Sequence, residues 1–358
     1  MKPLPTIHDP RFARKPHHRL DRFLLTFIKD ERDLTFVYLQ LKITLSVLPL
    51  GLLLFVPGLP DPLWWTVAAA YLYLNTFVFK GPMGLMQHCT SHRPLFKPEY
   101  GYLNKHLPWI IAPFFGQSPE TYFSHHIGMH HVENNLDDDD SSTMAYQRDS
   151  LRSFLAYFAD FFLLGIVRLS TYLNRKKRRK LLRNAVVGEM LFLAGCIGLC
   201  FVNAPATLVV FIIPFVTSRL VMMIGNWTQH AFVDAADPGN PFKNSITCLN
   251  VRYNHKCFND GYHISHHQRP AMHWTEHPDF FLKTLPKYAQ NKAIIFDGLD
   301  FGRVFFNLMA KRYEVLAQHV VNVDGMFGSD EEIVSVLRQR TMRIVTNETL
   351  TLAEVPAA

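Results

Sequence analysis

The residues in this chain best suited to chemistry are histidines. His88 and His92 stand in QHCTSHRP, and His126, His130 and His131 in SHHIGMHHVENN. His230 closes GNWTQH, and His263, His266 and His267 stand in DGYHISHHQRP. Imidazole nitrogen binds late first-row metals such as zinc, copper, nickel or iron in preference to magnesium or calcium. Nine such ligands exceed what one tetrahedral zinc takes, and no cysteine lies at zinc-finger spacing among them. The five cysteines are odd in number and scattered, so neither a disulfide scaffold nor a thiolate metal knuckle is expected. Two metals sharing the nine histidines would suit redox chemistry, because removing hydrogen from an unactivated methylene needs an oxidant that only a cofactor supplies. Asn226, one turn before His230, can offer a weak oxygen ligand or hold a water for a metal.

Helix spacing predicts which rings share a face. His88 and His92 are four apart, as are His126 and His130, with His131 rotated by about 100° toward a neighbouring metal. His263, His266 and His267 stand in the same i,i+3 and i,i+4 relations. The remaining histidines read more simply. His8, His17, His18, His106 and His319 are expected at the surface or in ordinary hydrogen bonds. His125, His255, His273 and His277 are expected behind the ligands or at the surface, with His125 the strongest of them as a substitute ligand. Asp137 to Asp140 read as a solvated acidic loop.

These histidines must be positioned by a hydrophobic scaffold, since 48% of the 358 residues are apolar and 29 are phenylalanine. Four runs are long enough to cross a bilayer: Val37 to Leu59, Pro62 to Phe79, 186–202 and 206–225. Only a Pro-Asp-Pro turn separates the first two and Asn203 to Pro205 the last two, so they form two helical hairpins. Arg11, Arg14, Lys15 and Arg19 precede the first hairpin, and RKKRRK, Arg175 to Lys180, precedes the second. That bias places both termini and every histidine cluster on the cytoplasmic side. The stretch 106–116 is too short to span. The stretch 151–173 is expected to lie in the interface beside anionic headgroups.

The expected fold is therefore all-α: an integral membrane four-helix bundle of two hairpins under a cytoplasmic, histidine-rich helical cap. Three parts follow: a cytoplasmic tail (1–34), the membrane domain (35–294) and a small soluble helical segment (295–358). The tail lacks the apolar core of a secretory signal. Phosphate-loop and dinucleotide glycine patterns are absent, and no nucleic-acid partner is expected.

The order of a His-x-x-x-His box, a His-x-x-x-His-His box, an Asn-x-x-x-His element and a His-x-x-His-His box resembles the membrane fatty acid desaturase and hydroxylase superfamily, over about residues 35–285. The resemblance implies a non-haem centre of two irons at the cytoplasmic face, with an acyl chain bent past it through an internal tunnel. It assigns as ligands His88, His92, His126, His130, His131, His230, His263, His266 and His267, and gives Asn226 an approach to one iron through water. Its substrates are long-chain fatty acids, acyl-CoA or acyl lipids in a membrane. A fused cytochrome b5 would carry a His-Pro-Gly-Gly motif, which this chain lacks. A separate donor is therefore implied, such as cytochrome b5, ferredoxin or rubredoxin with its reductase. The last box begins with His263 where many front-end desaturases have glutamine. Desaturation is the expected reaction. The superfamily also contains fatty acid and alkane hydroxylases and decarboxylases forming terminal alkenes, and a non-enzymatic membrane metal-binding or sensor protein is the remaining alternative.

Overall fold

The computed structural model describes residues 2–14 and 16–344. Lys15 of the basic tail and 345–358 of the expected C-terminal segment lie outside the described residues. The architecture is mostly helical. Helix α1, Leu34–Leu53, has about the length of a bilayer's hydrocarbon core at 1.5 Å per residue. Pro60 stands at the start of a much longer helix, α2, which runs without interruption through Asp61–Tyr73, a π-helical turn at Leu74–Phe79 and Lys80–His92. The expected second span is thus continuous with the first histidine box. Trp65, Tyr73 and Phe77 stand exposed on it, as an apolar solvent would allow.

A short helical run, α3, carries the second box: Thr121–His125, a π turn at His126–His130, and His131–Glu133. Helix α4, Leu151–Arg175, is unbroken where an interfacial helix was expected, and it is long and apolar enough to cross a membrane. Helix α5, Arg179–Thr207, breaks at Asn203, whose φ of −158° and ψ of 94° leave the helical region at the expected turn. A π turn at Leu208–Ile212 then leads into α6, Ile213–Gln229. Three candidate spans meet the length and apolarity needed for crossing: Glu31–Leu53, Leu151–Arg175 and Arg179–Gln229, the last containing both arms of a hairpin.

Contacts tie the hairpins to each other. The Tyr71 hydroxyl of α2 donates to the carbonyl oxygens of Phe114 and Val210 at 2.7 and 2.9 Å. Within the second hairpin, Phe192 stacks on Phe215 with centroids 5.4 Å apart, and Arg219 pairs with Glu189 at 3.2 Å. A buried ion pair needs such closure, because either charge alone in an apolar interior is costly.

Beyond α6 the chain departs from an all-helical fold. Strand β1, Ile246–Leu249, pairs in parallel with β2, Ile294–Asp297, with Ile246 opposite Ile294. Each strand is four residues long, too short to show a period, and their pairing spans a long connection that includes α7, His263–Gln268, and α8, His277–Gln290. Helices α9, Phe301–Met309, α10, Tyr313–Gln318, and α11, Asp330–Arg340, follow. Residues on both sides of position 295 share one core, in which Phe232, Ile246 and Cys248 pack with Phe296, Val304, Leu316 and Leu337. The N-terminal segment also docks there. Asp9 is buried and accepts hydrogen bonds from the Tyr262 hydroxyl and the Asn254 amide.

Gly188 brings α5 against the chain before α3, because a Cβ there would overlap the carbonyl oxygen of Pro119. Gly195, two turns on, has nothing within 4 Å of its Cβ position. Gly188→Ala should therefore destabilise the folded protein by about 2 kcal/mol or more, while Gly195→Ala should be neutral or stabilising by up to about 1 kcal/mol. Thermal unfolding of the two purified variants checks this, and equal melting temperatures would contradict the packing.

Candidate metal centre

The nine expected histidines converge in two adjacent groups. His88, His92, His126, His131 and His266 form one, and His130, His230, His263 and His267 the other, with the nitrogens of each group within 4.8 Å of one another. His88 and His92 emerge from the last turns of α2. His230 follows α6 directly, and α7 sends His266 to the first group and His263 and His267 to the second.

The second box is arranged differently from the helical expectation. His126 and His130 do not share a group. The π turn closes an i→i+5 hydrogen bond from the His131 amide to the His126 carbonyl, so residues five apart come onto one face. His126 and His131 accordingly meet, with their Nε2 atoms 3.1 Å apart, and His130 is the ring turned toward the other group.

The nitrogen spacing tests whether a metal fits. His88 and His266 bring Nε2 atoms to 2.9 Å, His92 and His126 to 3.0 Å, His266 and His131 to 2.9 Å. In the second group His263 stands 3.2 Å from His230 and 3.0 Å from His267. Burial, reinforced by neighbouring imidazoles, holds His92 down to about 3 and His230 to about 4, and pushes His126, His263, His266 and His267 well below the usual imidazole range. These rings are therefore neutral at physiological pH, the state that binds metal. At this distance two imidazole nitrogens share a proton as N–H···N, or, where both present lone pairs, a cation lying between them. Metal–nitrogen bonds of about 2.0–2.1 Å separate neighbouring ligands by about 3.3–3.4 Å at tetrahedral angles and by about 2.8–3.0 Å at right angles. The observed edges, 2.9 to 3.2 Å, lie between the two cases and are short enough for the rings of each group to share one metal.

Polar groups behind the rings orient them. His130 Nδ1 lies 2.7 Å from Asp139 and His230 Nδ1 2.9 Å from the Asn244 carbonyl, so both rings donate through Nδ1 and present Nε2 as acceptor. His88 Nδ1 lies 3.4 Å from Asp260, which also accepts from the Tyr253 hydroxyl and the Gln229 amide. Asp139 corrects the expectation of a solvated acidic loop. Only Asp137 in that run is exposed. Asp138 pairs with Arg175 and Lys176, Asp139 is 3% exposed, and the Asp140 side chain is buried near Arg168. Burial alone would raise the Asp139 carboxyl, but the adjacent His130 ring and hydrogen bonds from His130 and Ser141 hold it below the usual carboxylate range. A run of four aspartates carries no signal that one of them turns inward.

The other histidines fall outside both groups. His277 bonds Ser265, His273 pairs with Asp33, and His255 is exposed. His125 is largely buried, and its Nε2 has no hydrogen-bond partner. Asn226 is held by its amide nitrogen, which donates to the Ser141 carbonyl and the Tyr157 hydroxyl at 2.8 Å each. Its side chain lines a cavity of ≈ 190 Å³ whose wall also includes His88, His126, His130 and His263.

Asp139→Ala should lower metal affinity in the four-histidine group by roughly 10- to 100-fold, as loss of a carboxylate behind a ligating histidine does. Titration of metal-stripped protein should then show one weakened and one unchanged class of site, and two unchanged classes would remove Asp139 from that role.

The fatty acid desaturase family model matches residues 62–298, about two thirds of the chain and all nine histidines. No curated protein matches the chain. The histidine order and the family match together place this chain in the fatty acid desaturase family.

Proposed function

We propose that this protein is a membrane fatty acyl desaturase that uses dioxygen and reductant at a non-haem diiron centre. The observation that carries the reading is the pair of adjacent histidine groups, five and four, opening on one cavity. Two irons held there would supply the oxidising power to remove two hydrogens from neighbouring methylenes, with dioxygen, two electrons and two protons yielding a double bond and two waters.

The chain's own residues do the rest. His88, His92, His126, His131 and His266 would hold one iron, and His130, His230, His263 and His267 the other. The Asn226 amide is tethered through its nitrogen, which leaves its oxygen free to accept a hydrogen bond from a water beside the four-histidine group. Met83, Val221 and Met222 supply apolar wall against which acyl methylenes can lie. Electrons would come from a separate acidic carrier, such as cytochrome b5, ferredoxin or rubredoxin, drawn to a chain of net charge +7.

In this reading α1, α2, α5 and α6 are the four spans, and the histidine cap, both termini and Arg175 to Lys180 face the cytoplasm. A cysteine introduced by Lys177→Cys should react with an impermeant thiol reagent only from the cytoplasmic side. Labelling from the opposite side would overturn this topology.

Purified protein from iron-replete cells should carry close to two irons per chain. Cells expressing it with a compatible reductase should gain an unsaturated acyl product, seen by mass spectrometry of lipids and headspace hydrocarbons. A hydroxylated chain or a terminal alkene lacking the carboxyl carbon would replace desaturation by the corresponding reaction, and bound metal without any lipid product would leave a metal-binding or sensor protein. Asn226→Ala should keep its iron and lose roughly 10- to 100-fold in turnover, whereas His230→Ala should lose iron and activity together. Near-native turnover of Asn226→Ala at equal iron loading would make that residue an ordinary helix-end amide.

A further inference from the structure

The cavity that reaches the histidines contains a buried cation with no anionic partner. Lys80 of α2 is 7% exposed, and its ammonium has one hydrogen-bond partner, the Ser218 hydroxyl of α6 at 2.8 Å. That hydroxyl spends its own proton on the carbonyl of Phe115. Among the described residues no carboxylate lies within ion-pairing distance of Lys80. An ammonium has three donors to satisfy, and a buried charge without a counter-charge is costly. A purely structural role would be served as well by an apolar side chain of similar length.

Lys80 and Ser218 both line the cavity wall, together with His88 and Asn226. His88 and Asn226 lie eight positions further along the same two helices, about 12 Å at helical rise. The ammonium and the histidine groups therefore stand at different levels along the same cavity wall.

The geometry points to Lys80 as the residue that holds the carboxylate of a free fatty acid inside this cavity, with Ser218 presenting the ammonium. This rests on the fatty acyl reading of the site and narrows it to the free acid. A thioester carries no charge at its carbonyl, so a coenzyme A or carrier-protein conjugate would leave the ammonium unpaired. An ion pair formed out of water is also the stronger for its surroundings. Binding involves no covalent step: a carboxylate enters already ionised and accepts hydrogen bonds from Nζ.

The test measures equilibrium binding of radiolabelled palmitic acid and of hexadecanol, which has the same chain length and no charge, to the protein in lipid nanodiscs at pH 8. The unmodified protein should prefer the acid by roughly 10- to 100-fold, the range expected for a charged hydrogen bond. Lys80→Met should lose that preference and keep its affinity for the alcohol, and Lys80→Arg should retain most of the preference. Palmitic acid should also protect Lys80 from reductive methylation, read by mass spectrometry of peptides, and hexadecanol should not. Equal binding of acid and alcohol by the unmodified protein, or an unchanged preference in Lys80→Met, would overturn the assignment. If Lys80→Met does not fold, the acid–alcohol comparison and the protection pattern of the unmodified protein still decide. Binding is read without turnover, so a failed desaturase reading would show as acid preference without lipid product, and a failed Lys80 assignment as product without acid preference.

Discussion

Nine imidazoles packed into two adjacent groups constrain everything else in this protein. Nitrogens about 3 Å apart must share either a proton or a cation, and three of the rings are held in place from behind. Asp139 behind His130, the Asn244 carbonyl behind His230 and Asp260 behind His88 do the orienting. Burial does the shielding, and the same burial keeps His92, His126, His230, His263, His266 and His267 unprotonated.

Positioning begins with the long helices. Because α2 continues unbroken from Asp61 to His92, the first box is carried rigidly on that helix, and α6 carries Asn226 with His230 immediately after its last residue. The second box needs a different device. Its π turn places His126 and His131 on one face and sends His130 to the other group, so one short segment serves both groups. The Arg178 guanidinium donates to the Gly128 carbonyl within that turn, and Arg175 and Lys176 pair with Asp138. Part of the basic run thus holds the site in place, in addition to any role at a membrane surface.

The segment beyond α6 closes the site from the far side. Strands β1 and β2 are buried and flank the path of the chain through α7, and the shared core extends to α11. The Arg148 guanidinium, fully buried, donates to the carbonyl oxygens of Ala231, Arg340 and Met342 and so ties the loop after the second box to both the turn after α6 and the C-terminal helix. The histidine cap and the C-terminal helices consequently pack through shared contacts.

How much of this was legible in the sequence follows from the range over which each signal acts. Apolar runs, prolines at turns and histidines at helical spacing are local, and they sufficed to mark the long apolar helices, the break at Asn203 and the histidines that converge. The division into five and four was not legible, because it depends on a π turn that differs from an α-helix by one hydrogen-bond register. The inward turn of Asp139, the pairing of β1 with β2 and the burial of Lys80 against Ser218 were equally hidden. Each joins residues whose own neighbours in sequence predict a solvated loop, a helix end or a membrane edge. Local composition determined which residues could do the chemistry; tertiary packing decided how they divide, what orients them and which charge shares their cavity, since those depend on contacts between distant segments.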